Sequence, residues 1–317
     1  MPCASPQLAV PMPGKTKNGK TPYKFIGKAL SLHTRYQPFR PGTIILPCRQ
    51  CILCRLEKSR QWATRLMHEI YSHPNACFLT LTYDPNQIPL DGSLNPVHLK
   101  TFFKDLRARM DYHENQKIKY FACGEYGDQK GRPHYHAALF GPIPSHPGLD
   151  PISSKLIQEE PSRSGGLQFS HPDISATWPY GLHRISELNF ETAAYVARYI
   201  LKKISGVSAP LYYGNLHPEF VRMSKGLGKE HFNRWTTDLY PSDQCVLPGR
   251  GAFMPPPYYD RLLEKVDPSL FQKIKKARQD AQETLNNSKF LEFVDEQHRT
   301  GKVRTLITEE TLIRSLE

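Results

Sequence analysis

Apolar residues recur along this chain with two different periods, and the changes of period predict its elements. Leu56, Ala63, Leu66, Met67 and Ile70 return near helical spacing, which predicts a helix. Ala76 to Tyr83 (ACFLTLTY) is a short apolar run rich in β-branched and aromatic residues, closed by Asp84, Pro85 and Asn86; it predicts a buried strand in the middle of a sheet. Asn95 followed by Pro96 offers a helix start, after which Leu99, Phe102, Phe103, Leu106 and Met110 share one face. The period then drops to two. Ile118, Tyr120 and Ala122 alternate with charged or small residues, Gly124, Gly127, Gly131 and Pro133 interrupt, and His134 to Phe140 resumes as an extended run, the pattern of a β-hairpin. Gly181 to Leu188 (GLHRISEL) predicts a further strand and Phe190 to Ile204 (FETAAYVARYILKKI) a helix. Such an order predicts an α+β fold, a central antiparallel β-sheet with flanking helices.

Outside these elements the pattern weakens. Residues 1–44 are rich in Pro, Lys and small residues without sustained periodicity, which predicts a basic arm or an irregular strap. Within them, Gly14 to Thr21 (GKTKNGKT) satisfies the P-loop pattern, but Pro11, Pro13 and Pro22 flank it, where that loop needs a strand before and a helix after. Residues 142 to about 180 form a long insertion containing Pro, Ser and Gly. One domain is expected over 45–265, and 266–317, with Phe271, Ile274 and Ala277 amid mixed charge, is expected to be a helical accessory region.

Three constellations carry candidate chemistry. His134 and His136 fall on one face of a strand with Cα atoms roughly 6.5 Å apart, and the hairpin sets Glu125 beside them. Two imidazoles and one carboxylate with open positions suit a Lewis acid that also holds substrate. The alternative is a pair of strand histidines without a ligand. A histidine-triad hydrolase is excluded because its third histidine would fall on Ala138. Cys48, Cys51 and Cys54 offer three of the four ligands of a structural Zn²⁺, the fourth being His68, His73, Cys77, Cys3 or Cys245; reduced, packed thiols are the alternative. Tyr195 and Tyr199, one helical turn apart with Lys202 and Lys203 a turn further on, are either activated phenol nucleophiles or part of a core stripe with Ala194, Ile200 and Ile204.

Composition narrows the partners. A formal charge of +12 and a pI near 9.3 predict a polyanion, most simply nucleic acid, and Arg55, Lys58, Arg60 and Arg65 form either a phosphate-binding helix face or a solvated one. With no run approaching 18 apolar residues, no membrane partner is expected, and the N-terminus has no signal-peptide pattern, so an intracellular location is expected.

Several segments in register, CRQCILCRLEKSRQWATR, CFLTLTYD, GEYGDQKGRPHYHAALFG, AAYVARYILKK and GLGKEHF, resemble the HUH rolling-circle replication initiators of single-stranded DNA bacteriophages, the microviruses of gokushovirus type that include Chlamydia phages. The resemblance spans roughly 45–265. It implies an HUH endonuclease domain with a ferredoxin/RRM-like core, and it places the two-histidine motif on His134 and His136, the carboxylate on Glu125, with Asp84 and Glu191 as alternatives, and the paired nucleophiles on Tyr195 and Tyr199. It also implies Mg²⁺ or Mn²⁺ as cofactor, Lys203 or Lys202 as a cation near the phosphate, nicking and joining of phage origin DNA through a 5′-phosphotyrosine, a borrowed host helicase and DNA polymerase, and action in the cytoplasm of the bacterial host. Two competing readings remain at this point: a non-catalytic, basic, zinc-stabilised nucleic-acid-binding protein, and a single-strand transposase of the same fold.

Overall fold

The structure, a computed structural model, describes residues 3–17, 19, 21–28, 42–73, 75–110, 117–127, 131–144, 155–162, 165–202, 209–247, 249 and 251–281, without the side chains of 199–202 and 209–210. The chain divides into two compact units, Met1–Lys58 with Ser269–Glu317, and Ser59–Pro268.

In the first unit, strand β1 (Gln7–Pro11) lies between β2 (Tyr23–Lys28) and β3 (Ile44–Leu46) in an antiparallel sheet. Strands therefore occupy part of the stretch expected as an arm or strap. The reason the pattern hides them is visible in β1, which buries only Leu8 and Ala9 completely and has a register shift between them, so no period of two develops. Residues 14–21 form bends and turns where described, with no helix following, so the P-loop context is absent. Residues 268–281 are helical, with Ile274 buried; the remainder of the expected C-terminal helical region lies outside the described residues. Helix α1 (Ile52–Ile70) begins in this unit and ends in the other.

The second unit is built on a seven-stranded sheet. Its strands are β4 (Ala76–Thr82), β5 (Lys119–Tyr126), β6 (Pro133–Phe140), β7 (Ile157–Gln158), β8 (Phe169–Ser170), β9 (His183–Glu187) and β10 (Phe220–Met223), in spatial order β10-β5-β6-β4-β9-β8-β7 with every reported pairing antiparallel. The apolar run at 76–82 takes the central place, where both of its faces are covered and alternation with polar residues is not needed. The short strands β7 and β8 come from the insertion and form one edge. The helices are α2 (Pro96–Met110), α3 (Pro172–Thr177), α4 (Phe190–Lys202), α5 (Ala209–Tyr213), α6 (Lys229–Leu239) and α7 (Pro257–Val266), with a small hairpin of β11 (Cys245–Leu247) and β12 (Gly251–Phe253) before the last. The α+β expectation, an antiparallel sheet with flanking helices, holds.

Two apolar cores lie on opposite faces of this sheet. Leu79, Leu81, Tyr135, Ala137 and Leu139 meet Leu99, Phe102, Phe103, Leu106 and Met110 of α2 on one face. That helix starts where Asn95 Oδ1 accepts from the Val97 and His98 amides, satisfying donors the helix itself leaves free. On the other face Phe78, Phe121, Cys123, Ala138 and Phe140 meet Leu66 of α1 and Ala193 and Val196 of α4. Entry into β9 depends on Gly181: its φ of +157° suits glycine, and a Cβ there would stand 2.3 Å from the Asp84 amide nitrogen and 2.4 Å from the Thr82 carbonyl oxygen.

Arg65 departs from the expected basic helix face. It is buried, donates from Nε and Nη2 to the Leu227 carbonyl, and lies between the rings of Trp62 and Tyr258. Burial pushes its guanidinium down to about 10. This arginine ties α1 to the loop before α6 and is not turned to a phosphate. In the same region the Glu69 carboxylate receives Lys119 Nζ at 2.7 Å and the Gly228 amide at 2.5 Å.

Candidate active site

Register on the central hairpin assembles the site. Glu125 on β5 stands directly opposite His134 on β6, and Cys123 opposite His136; opposed residues share a face. Both histidines also pair across to β4, His134 with Thr82 and His136 with Thr80. The ligand atoms of Glu125, His134 and His136 all lie within 4.8 Å of one another. Exposure is graded, with side chains 18% open at His134, 9% at His136 and 3% at Glu125, so solvent reaches the cluster from the His134 side.

One carboxylate oxygen is shared. His134 Nε2 lies 2.5 Å and His136 Nε2 3.1 Å from Glu125 Oε1, and the two rings stand at 88°. The far nitrogens are also held: His134 Nδ1 is 3.1 Å from the Arg132 carbonyl oxygen, and His136 Nδ1 is 3.0 Å from Thr80 Oγ1. A carbonyl only accepts, so His134 donates to it from Nδ1–H, and in the neutral ring Nε2 is then a bare lone pair aimed at a carboxylate. That geometry calls for a cation, a second proton on the ring or a metal ion. Burial raises the Glu125 carboxyl, but hydrogen bonds and charge from His134 and His136 outweigh it and hold the group below its ordinary value. Its Oε2 atom is buried without a hydrogen-bond partner among the described residues, a costly state for a carboxylate. The orphaned oxygen, the shared oxygen and the two fixed imidazoles fit a divalent ion with open coordination positions.

Helix α4 faces this cluster. Its first turn is fixed by a reciprocal cap in which Thr192 N donates to Asn189 Oδ1 and Asn189 N donates to Thr192 Oγ1. One turn on, the half-buried Tyr195 sets its ring centroid 5.3 Å from His136 and 6.1 Å from Phe78. Tyr195 thus meets the imidazole cluster, although 61 positions separate it from His134. The guanidinium of Arg198 lies 5.8 Å from the Tyr195 ring centroid. Tyr199 and Lys202 lie on α4 but their side chains are outside the described residues, as is Lys203 altogether.

Of the alternative carboxylates, Asp84 caps a short 3-10 turn by accepting from Asn86 N at 3.0 Å, and Glu191 sits exposed in the first turn of α4; Glu125 is the carboxylate grouped with the histidines. Thr80 and Arg198 were missed from sequence. Arg198 at three residues from Tyr195 was visible as helical spacing; Thr80 depends on the β4–β6 register, for which no local signal exists.

In the first unit, Cys48, Cys51 and Cys54 are joined by Cys3, all four Sγ atoms lying within 4.8 Å of one another. The other candidates for that fourth place serve elsewhere: His68 Nδ1 meets the Tyr259 hydroxyl at 2.8 Å, His73 meets Glu69, and Cys77 and Cys245 are buried in β4 and β11.

Fold and cluster together define a class: an α+β protein whose central antiparallel sheet offers a two-histidine, one-carboxylate site to a tyrosine-bearing helix. The family model described as "Replication-associated protein ORF2/G2P" matches residues 76–204, the segment from β4 through α4. The chain is similar to "Replication-associated protein ORF2" of Spiroplasma virus 4, 35% identical over 69% of this chain and 68% of that protein. It is likewise similar to "Replication-associated protein ORF4" of Chlamydia phage 1, 31% identical over 73% of this chain and 56% of that protein, and to "Replication-associated protein VP4" of Bdellovibrio phage phiMH2K, 29% identical over 72% and 70%. The chain belongs to this family of replication-associated proteins and is a replication initiator of the microvirus type. No solved structure matches it. No helix among the described residues is long and apolar enough to cross a membrane.

Proposed function

We propose that this chain starts rolling-circle replication by nicking phage origin DNA through tyrosine transesterification and later rejoining the ends. The observation that carries the proposal is the approach of the Tyr195 ring to His136, which puts a phenol beside a cluster suited to a divalent ion. Glu125, His134 and His136 would hold Mg²⁺ or Mn²⁺, which when bound supplies Lewis-acid polarisation of the scissile phosphate. Thr80 and the Arg132 carbonyl keep the two imidazoles in place, so that donor directions are set before DNA arrives.

In the step itself, Tyr195 Oη attacks phosphorus. A phosphorus–Oη bond forms, the bond from phosphorus to the 3′-oxygen breaks, the phenol proton goes to solvent, and the departing 3′-oxygen takes up a proton to leave a free 3′-OH. The product is a 5′-phosphotyrosine that keeps the energy of the phosphodiester, and attack by a 3′-OH reverses the step and joins two ends. Tyr199, one turn further along α4, is the second nucleophile for the regenerated origin. Lys203 and Lys202 are assigned as cations beside the phosphate, and Arg198 adds a guanidinium near the Tyr195 ring.

The remaining roles follow from the same reading. Residues 45–265 act as the endonuclease domain, the +12 charge supports DNA binding, and in the bacterial cytoplasm the host DNA polymerase extends the freed 3′-OH while a host helicase unwinds the duplex ahead of it. The test uses labelled single-stranded origin DNA with Mn²⁺. Wild type is expected to form a covalent protein–DNA adduct, each of Tyr195→Phe and Tyr199→Phe to lose part of the reaction, and the double variant to lose the adduct completely. An adduct that survives in the double variant, or DNA binding that ignores divalent metal and leaves every strand intact, overturns the proposal; the second result favours a non-catalytic binding protein.

A further inference from the structure

The four grouped cysteines take no part in the nicking chemistry and pose a separate question. Cys3 Sγ lies 3.9 Å from Cys51 Sγ, and Cys48 Sγ 4.0 Å from Cys54 Sγ. A disulfide needs a sulfur–sulfur distance of about 2.05 Å, and all four are free cysteines. Four thiolates at about 2.3 Å from one ion, set tetrahedrally, stand about 3.8 Å apart. The observed separations match that tetrahedron.

The backbone is arranged for sulfur carrying charge. The Cys48 amide donates to Cys3 Sγ at 3.3 Å and the Cys51 amide to Cys48 Sγ at 3.2 Å. Amide donors of this kind orient ligating thiolates and favour their charged form. Arg49 adopts a left-handed φ of 61° within the turn across which the Cys51 amide reaches Cys48 Sγ. Cys54 lies in the first turn of α1, where the helix dipole favours negative charge. Cys3, from 45 residues upstream of Cys48, is buried with Cys54, whereas Cys48 and Cys51 are half-buried.

We propose that Cys3, Cys48, Cys51 and Cys54 bind one structural Zn²⁺, with Cys3 as the ligand that completes the site. Four sulfurs fill tetrahedral coordination and leave no position for substrate, so the ion is structural. It closes the chain from residue 3 to the start of α1 and anchors β1. That anchor suits a three-stranded sheet whose central strand buries only Leu8 and Ala9 completely, too little apolar surface to hold three strands by itself.

The test uses the full chain purified under reducing conditions without added metal. Elemental analysis is expected to find about one zinc per chain, retained in the Glu125→Ala/His136→Ala double variant. Mercurial titration of the wild type is expected to release that zinc as the clustered thiols react. Exchange with Co²⁺ is expected to give the visible bands of a tetrahedral four-sulfur site; Cys3→Ser shifts them to a three-sulfur spectrum and weakens zinc binding at least tenfold, whereas Cys245→Ser changes neither. Protein that neither carries zinc nor takes up cobalt overturns the proposal, as does iron in its place. An unchanged cobalt spectrum in Cys3→Ser, or zinc that disappears with Glu125 and His136, overturns it equally. The mercurial titration keeps the test decisive if Cys3→Ser does not fold.

Discussion

The two faces of the central sheet share strands and differ in what they enclose. Beneath α2, the buried Tyr135 hydroxyl has its bonds completed: Tyr135 Oη accepts from Asn95 N, donates to the Asn95 carbonyl, and meets Tyr83 Oη at 2.9 Å. Beneath α1 and α4, the face is apolar from Phe140 through Ala138 and Phe78, and then changes to His136, His134 and Glu125, whose Oε2 has no hydrogen-bond partner among the described residues. One alternating strand, β6, serves both purposes: Tyr135 locks the structural face while its neighbours on either side carry the candidate chemistry. A site of this kind withholds hydrogen bonds that the opposite face completes, and what it forgoes in stability is available to a ligand.

Substitutions on the two faces are expected to separate activity from stability. The largest effect is expected for Glu125→Ala or His136→Ala, each lowering origin cleavage on the order of a thousandfold or more while the melting temperature stays within a few degrees of wild type. A melting collapse with cleavage retained by the folded fraction would erase the distinction. On the other face, Leu79→Ala and Phe102→Ala remove fully buried side chains and are expected to cost about 2–5 kcal/mol, read from denaturant midpoints, with cleavage per folded molecule near wild type.

A smaller effect sharpens the contrast at a single hydrogen bond. Thr80→Val keeps the shape of β4 and deletes the contact to His136 Nδ1, so Mn²⁺ affinity is expected to fall about 10–100-fold in a metal titration, with little change in melting. Unaltered affinity would mean that the threonine does not hold the ring. The smallest effect lies outside both faces. His68 stacks on His231 at 3.7 Å; burial, with His231 beside it, pushes His68 down to about 3, and burial pushes His231 down to about 4. Both are neutral in the fold, whereas the unfolded chain takes up their protons below about 6.5. Their contribution to stability is therefore complete above pH 6.5 and is lost as pH falls toward 4. His231→Gln is expected to flatten the dependence of the melting temperature on pH in that window.

Much of this fold is legible in local pattern because its central elements are strongly periodic. The α2 stripe of Leu99, Phe102, Phe103, Leu106 and Met110 is the set the structure buries, and the run at 76–82 is the middle strand. The first unit is much less legible: a bulge between Leu8 and Ala9 interrupts β1, and its pairing with β3 joins segments some 35 residues apart. Arg65 misled for a related reason. A basic residue on a helix reads as solvated, and only the arrival of the Leu227 carbonyl and two aromatic rings from distant segments makes a buried arginine tolerable.

By itself, the sequence determined the relations that depend on backbone period alone: His134 and His136 on one side of a strand, Tyr195 and Tyr199 one turn apart on a helix, three cysteines at intervals of three. Tertiary structure decided which distant groups meet them. Cross-strand register, set by pairing over the whole hairpin, put Glu125 opposite His134 where Asp84 and Glu191 were also open. Packing of Ala193 and Val196 of α4 into the apolar core beside the cluster brought the Tyr195 ring to His136, and chain closure brought Cys3 to the other three cysteines. The division has one physical cause: side-chain direction along an element follows from local geometry, whereas proximity between elements follows from how their apolar surfaces are buried together.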